Sequence, residues 1–229
     1  MRFVLVNDDG INASGLAALA AAARRWGDVV VVAPQTEQSE CSHSVTTRRP
    51  LHVEKVATDS FAVDGTPVDC VRVALEALRL EPDWILAGIN HGGNLGYDVW
   101  MSGTVAAARE AALRGIPAAA FSQYLRRDVV LDWDVAQQAA ERILGHLLDG
   151  HQPAAAKEYV NINLPATTTH PAQIPICDCP LDPVPMELGF EPTEAHYRYR
   201  GNYHGRHRTA GSDVDRCFSG AITLTRLTM

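Results

Sequence analysis

The chain of 229 residues contains no run of the roughly 18 consecutive apolar residues that a membrane-spanning helix needs. Its opening stretch, MRFVLVNDDG, turns acidic at once and lacks the basic flank and apolar centre of a secretory leader, so a cytoplasmic location is expected. A disulfide framework is missing too. The five cysteines, at 41, 70, 177, 179 and 217, are odd in number and irregular in spacing, which fits reduced thiols packed as small hydrophobes. CDC over 177–179 is half of a zinc site at most, because no second close pair of cysteines or histidines completes it. Nor is there an excess of positive charge: Lys plus Arg is 20 against 27 Asp plus Glu, a net charge of −7. That balance argues against capture of duplex nucleic acid or of an anionic membrane, and leaves room for a small anionic substrate if a cation mediates. No internal repeat is visible.

What is present is a globular composition, 46% hydrophobic and 21% charged, arranged as short apolar runs separated by helix-like segments. The runs 2–6, 29–33, 84–89, 118–122 and 159–163 are mostly apolar throughout instead of alternating, as expected of parallel strands covered on both faces. Between them Ser14 is positioned to cap a first helix that stops at Gly27. Thr66, Pro67 and Asp69 open a second, Ser102 a third that ends near Gly115, and Asp132 a fourth closed by Gly150. This alternation predicts a doubly wound, Rossmann-like α/β fold with a mostly parallel sheet. Residues 34–65 read as an antiparallel insertion at the sheet edge. The whole chain reads as one domain, with a core over about 1–165 and a proline-rich, β-rich extension over about 166–229 that serves oligomer contacts.

In an open parallel sheet, ligands bind beyond the carboxyl ends of the strands. Four polar clusters fall on that edge: NDDG after the first strand, QSECSHS after the second, GINHGGN after the third, and SGT at the following helix start. Asp8 and Asp9 stand where a dinucleotide-binding fold has glycines, and neighbouring residues of a strand face opposite ways, so both carboxylates meet one ligand only if the chain turns, which Gly10 permits. Two carboxylates this close resist double ionisation without a cation, and hard oxygen ligands suit Mg²⁺ or Mn²⁺. The alternative is a solvated Asp-Asp-Gly turn. Ser102, Gly103 and Thr104 open a helix whose unpaired amides suit an anion, although an N-cap alone has the same signature. Asn90 can offer its carbonyl oxygen to a metal or its amide to a phosphate, and Asn94 can bind phosphate or fix the loop. Ser39 is a candidate metal ligand, and Ser42, His43 and Ser44 are candidates to line the pocket. His91 is a candidate base, although an isolated loop histidine is ordinarily solvated.

Taken in order, VNDDGINASGL at 6–16, Ser39 and SHS at 42–44, VDGTPVDCVRVAL at 63–75, GINHGGNLGYDVWMSGTVAAAREAALRGIPAAAFS at 88–122, and the late NINLP and GSDVDRCFSGAITLT resemble the SurE (survival protein E) family. The resemblance implies a cytoplasmic phosphatase acting on nucleoside 5′-monophosphates with one divalent cation, and a homo-oligomer, dimer or tetramer. It implies Asp8, Asp9, Ser39 and Asn90 as metal ligands, with Asp8, Asp9 and Asn90 catalytic, and Ser102, Gly103 and Thr104 on the phosphate side, where Asn94, Ser42 and Ser44 are also expected. Two positions depart from the family pattern. Glu40 stands where glycine is usual beside the serine ligand, and the tail reads LTRL in place of TPL. Two rival readings are an aspartyl-phosphate phosphatase of the haloacid dehalogenase type, which calls for Asp-x-Asp where this chain has Asp-Asp-Gly, and a non-catalytic nucleotide-binding module, in which the acidic pair would repel an unmediated pyrophosphate.

Overall fold

A computed structural model describes residues 1–150 and 157–229. The first apolar run forms β1 (Arg2–Val6), followed by α1 (Ser14–Ala23) and β2 (Asp28–Pro34). The insertion supplies the antiparallel pair β3 (Val53–Ala57) and β4 (Ser60–Val63). Next come α2 (Pro67–Arg72), β5 (Trp84–His91), α3 (Gly103–Leu113), β6 (Ala118–Gln123), α4 (Trp133–Leu148) and β7 (Glu158–Leu164). The last third adds β8 (Ile176–Asp178), β9 (Phe190–Pro192), β10 (Tyr197–Tyr199), α5 (Asp213–Phe218) and β11 (Ile222–Thr228).

Nine strands make one sheet in the order β3-β4-β2-β1-β5-β6-β7-β11-β8. From β4 to β7 every neighbour is parallel; β3 and β11 are the antiparallel additions, and β8 runs parallel to β11. The expected doubly wound architecture with an antiparallel insertion is therefore present. The extension is more closely joined to the sheet than its composition suggests, because β11 and β8 complete it, and only β9 and β10 pair apart as a short ribbon.

The unbroken apolar runs have a structural cause. In β1, Phe3 and Leu5 pack beneath α1 and α4, while Val4 and Val6 face α2 and α3, so all four are fully buried. Each such side chain stabilises the fold by roughly 1.5–3 kcal/mol. Helix starts follow the expected caps with one exception. Thr66 and Asp69 form a capping box, Ser102 accepts from the Val105 amide, and Asp132 accepts from the Asp134 and Val135 amides. Ser14, expected as the cap of α1, is instead its first helical residue; Ala13 takes the cap position and offers no side-chain bond. Among the described residues, no helix is long and apolar enough to cross a membrane.

Candidate active site

The strand order reverses at β1, with β2 on one side and β5 on the other, and an open α/β sheet has its binding crevice at such a point. A cleft of about 550 Å³ lies there, beyond the carboxyl ends of β1 and β5. It gathers Asp8, Asp9, Ser39, Asn90, Asn94 and Ser102 from four separate stretches of chain.

Asp8 follows β1 and is 5% exposed. Both of its oxygens are held by the first turn of α3: the Thr104 hydroxyl donates to Oδ1 at 2.5 Å and the Thr104 amide to Oδ2 at 3.1 Å. Burial pushes its carboxyl up to about 6, an effect that the Thr104 hydrogen bonds oppose and the neighbouring Asp9 charge reinforces. Asp9 accepts the His91 amide at Oδ2, 3.0 Å, and is likewise raised above the ordinary carboxyl value, first by burial, with a smaller contribution from Glu37. Gly10 makes the turn at φ +97°, and the Asn7 side chain clasps its carbonyl at 2.8 Å. The chain thus bends where two adjacent carboxylates must share one cleft.

Asn90 donates its side-chain amide to the Gly92 carbonyl at 2.9 Å, which leaves its own carbonyl oxygen for the cleft. Ser39 donates to Glu37 at 2.5 Å, so the hydroxyl oxygen keeps its acceptor capacity. Glu37, Glu40 and Asp98 also line the cleft, and among the described residues no lysine or arginine does. Asp98 alone is neutralised, by Arg206 at 2.8 Å. Among the described residues no group of three or more His, Cys, Asp or Glu side chains is arranged to hold a metal. The oxygen set of Asp8, Asp9, Asn90 and Ser39 instead fits a hard divalent cation, because it places two under-compensated carboxylates beside an amide and a hydroxyl oxygen.

The residues expected to receive phosphate are divided by the fold. Asn94 and Ser102 line the cleft, whereas Ser42, Ser44, Gly103 and Thr104 do not. Thr104 is fully buried and committed to Asp8. Ser42 clamps the loop to its neighbour by donating its hydroxyl to the Trp100 carbonyl and its amide to the Met101 carbonyl. The Ser44 carbonyl accepts from the Thr66 hydroxyl. Asn94 also fixes its loop: its side chain donates to Ser122 Oγ, its amide to Asn163 Oδ1, and its carbonyl accepts from the Asn161 and Asn163 side chains. His43 turns away to a buried network, where its Nε2 meets Glu110 at 3.0 Å and Arg109 donates to its Nδ1.

Sequence reasoning left several contributors unassigned. Tyr203 donates to the Gly93 carbonyl, and Arg206 lies over the Tyr203 ring with its centre 4.4 Å from the ring centroid, so the stretch HYRYRGNYHGRH straps the loop after β5. Trp133, at the start of α4, also lines the cleft. The only signal for Tyr203 and Arg206 was an unusual density of aromatic and basic residues. Nothing in the sequence marked Trp133 beyond its place after a cap. Cys177 and Cys179 are free thiols, and Cys179 lies near the Thr225 hydroxyl.

Comparison with known proteins identifies the family and agrees with the fold. The model of the family described as survival protein SurE matches residues 3–180. A 5′-nucleotidase SurE of Paramagnetospirillum magneticum is 38% identical over 99% of this chain and 89% of its own length. A 5′-nucleotidase SurE of Gemmatimonas aurantiaca is 49% identical over 72% of this chain and 66% of its own. The crystal structure of the SurE protein from Aquifex aeolicus superposes with a TM-score of 0.86 at 32% identity, covering 100% of this chain and 93% of that one. The chain belongs to the survival protein SurE family.

Proposed function

We propose that this protein is a phosphatase-type enzyme that hydrolyses nucleoside 5′-monophosphates to nucleoside and inorganic phosphate, with one divalent cation, Mg²⁺ or Mn²⁺, held by Asp8, Asp9, Asn90 and Ser39. The observation that carries the reading is the charge of the cleft: among the described residues five carboxylates line it and no lysine or arginine does, and of the adjacent pair Asp8 is buried and Asp9 half-buried with no lysine or arginine paired to either. A phosphate dianion is repelled by such a wall unless a cation stands between them. When bound, that cation neutralises the acidic pair and polarises the phosphoryl oxygens.

The chain's own residues supply the positioning. Thr104 fixes both oxygens of Asp8, and the His91 amide fixes one oxygen of Asp9. The Ser102 hydroxyl accepts from the Val105 amide, which leaves its proton free to donate into the cleft towards a phosphoryl oxygen. The Asp9 oxygen that takes no bond from His91 can orient a water for in-line attack. Names of the relatives support the nucleotide as substrate, since two that cover most of this chain are called 5′-nucleotidases. The exposed β9–β10 ribbon, with Phe190 and Tyr197 on its surface, supports oligomer contacts through the extension.

Phosphate release from AMP by protein stripped with EDTA and then supplied with Mg²⁺ or Mn²⁺ tests the reading. Activity should vanish with the chelator and return with the metal. Full activity in excess EDTA would overturn the metal, and no release from any nucleoside monophosphate would overturn the substrate.

A further inference from the structure

The cleft is larger and more varied than phosphate recognition demands. Beside its carboxylates the cleft is lined by Ala13, Gly15 and Trp133, with Gly15 against the indole and the His91 ring 6.3 Å from it. Trp133 and His91 are the only aromatic rings among its lining residues. We propose that Trp133 is the platform on which the nucleobase of the substrate stacks. The proposal rests on the nucleotide reading above and deepens it.

The indole is fixed before any ligand arrives. Trp133 is the first residue of α4, and the Asp132 carboxylate caps that turn through the Asp134 amide at 2.9 Å and the Val135 amide at 3.3 Å. With Ile11 and Ala13 it packs against the hydrophobic core. Its ring also rests on the start of α1, where Gly15 makes room: a β-carbon there would lie 2.8 Å from Trp133 Cη2 and 2.0 Å from the Ile89 carbonyl oxygen. An aromatic ring held this way loses little freedom when a second ring stacks on it. The neighbouring His91 does not cover it as a parallel partner would, since the two centroids are 6.3 Å apart and the planes are tilted by 42°.

The chemistry of the ligand agrees with this layout. A nucleoside monophosphate has a charged end that requires the cation and an uncharged flat end that gains nothing from carboxylates. An apolar, half-buried indole in a polar cleft offers the flat end a π-face, and stacking of this kind is sequence-tolerant because every base has one. Trp133 thus favours nucleotides over phosphate esters that lack a base, with little discrimination among bases.

Comparison of AMP with ribose 5-phosphate isolates the platform, since the two share the phosphoester and differ in the base. In Trp133→Leu, which keeps the apolar packing, kcat/KM for AMP should fall about tenfold, mostly through KM, with ribose 5-phosphate changed less than about twofold. Trp133→Phe should lose about threefold for AMP alone, and it decides the matter if the leucine variant folds poorly. Equal losses for both esters would mean a structural role only and would overturn the platform, as would an unchanged AMP preference. A second measurement needs no turnover. Adenosine should quench the tryptophan fluorescence of the native protein, and the quench should disappear in Trp133→Phe, which keeps the other three of the four tryptophans. An identical quench in both proteins, or none in the native one, would overturn the proposal. Failure to release phosphate from either ester would instead count against the proposed function, leaving the adenosine titration to judge the platform.

Discussion

Two buried carboxylates, one held against the first turn of α3 and one within that helix, meet opposite fates. Asp8 at the amino end of that helix is 5% exposed and has no basic side chain in contact, and burial lifts its carboxyl to about 6. The Glu110 side chain, further along α3, is 3% exposed and is held by Arg72 at 2.7 Å, His43 at 3.0 Å and Arg114 at 3.1 Å. Burial would raise Glu110 as well, but the hydrogen bonds from Arg72, His43 and Arg114 outweigh it and bring the carboxyl to about 2. Burial is common to both; the partner decides. Glu110 is a finished knot that ties α2 and α3 to the loop carrying Ser39. Asp8 is placed and oriented, yet electrically unfinished, which is how a ligand for an external cation should look.

Breaking the unfinished side should have the largest effect on activity. Asp8→Asn and Asp9→Asn should each lower kcat/KM for AMP at least 10²- to 10³-fold, the scale of losing one preorganised electrostatic element, because each removes a charged oxygen that the cation needs. Neither should lower the melting temperature of the metal-free protein, since each relieves repulsion between neighbouring carboxylates. Near-native turnover by both variants would mean that the acidic pair is only a turn.

Breaking the finished side should do the reverse, costing stability before chemistry. Glu110→Gln leaves three cationic or donor groups around a neutral amide and should destabilise the fold by about 1–3 kcal/mol, discounted because Arg72 and Arg114 are partly exposed. The sign with pH follows from the depressed carboxyl. Glu110 contributes its full stability above its ordinary value of 4.5 and loses that contribution as pH falls towards about 2. Urea unfolding between pH 5 and pH 2 should therefore show a steep decline for the native protein and a shallower one for Glu110→Gln. Parallel declines would remove Glu110 from its role as the acid-sensitive knot.

The same contrast marks how far the sequence could be read. The central strands were legible because they are buried on both faces, so apolar residues recur without alternation from Val29 to Ala33 and from Trp84 to Ile89. Asp8 and Asp9 were legible because adjacent carboxylates after a strand conflict with an anion site. Thr104 was not, because its partner lies 96 residues away and a hydroxyl at a helix start looks identical whether it faces phosphate or a carboxylate. Glu110 was hidden for a related reason: AAAREAALRG has the charge pattern of a solvated helix face, and only the packing of α2 against α3 reveals that Arg109 and Glu110 are buried. Trp133 reaches the cleft, and Arg206 reaches its Asp98, from later segments through tertiary contacts that no local periodicity encodes.

Glu40 sharpens the comparison most finely, because it lines the unfinished side without being one of the four proposed ligands. Its backbone lies at φ +58°, in the left-handed region that glycine enters freely and a glutamate does not. Glu40→Gly relieves that strain, worth about 1–2 kcal/mol, and restores flexibility to the unfolded chain, which costs about 0.5–1 kcal/mol. The variant should therefore be as stable as the native protein or slightly more so. The lost charge should be felt by the cation instead. An exposed carboxylate on the cleft wall attracts a divalent ion through screened solvent, so its removal should raise the Mg²⁺ or Mn²⁺ concentration for half-maximal activity by about two- to fivefold and leave kcat at saturating metal unchanged. That increase should shrink as salt is added, since the Debye length falls from about 10 Å at 0.1 M to about 3 Å at 1 M. A metal titration that Glu40→Gly leaves in place at low salt would show that this carboxylate faces solvent and that the cation answers to Asp8 and Asp9 alone.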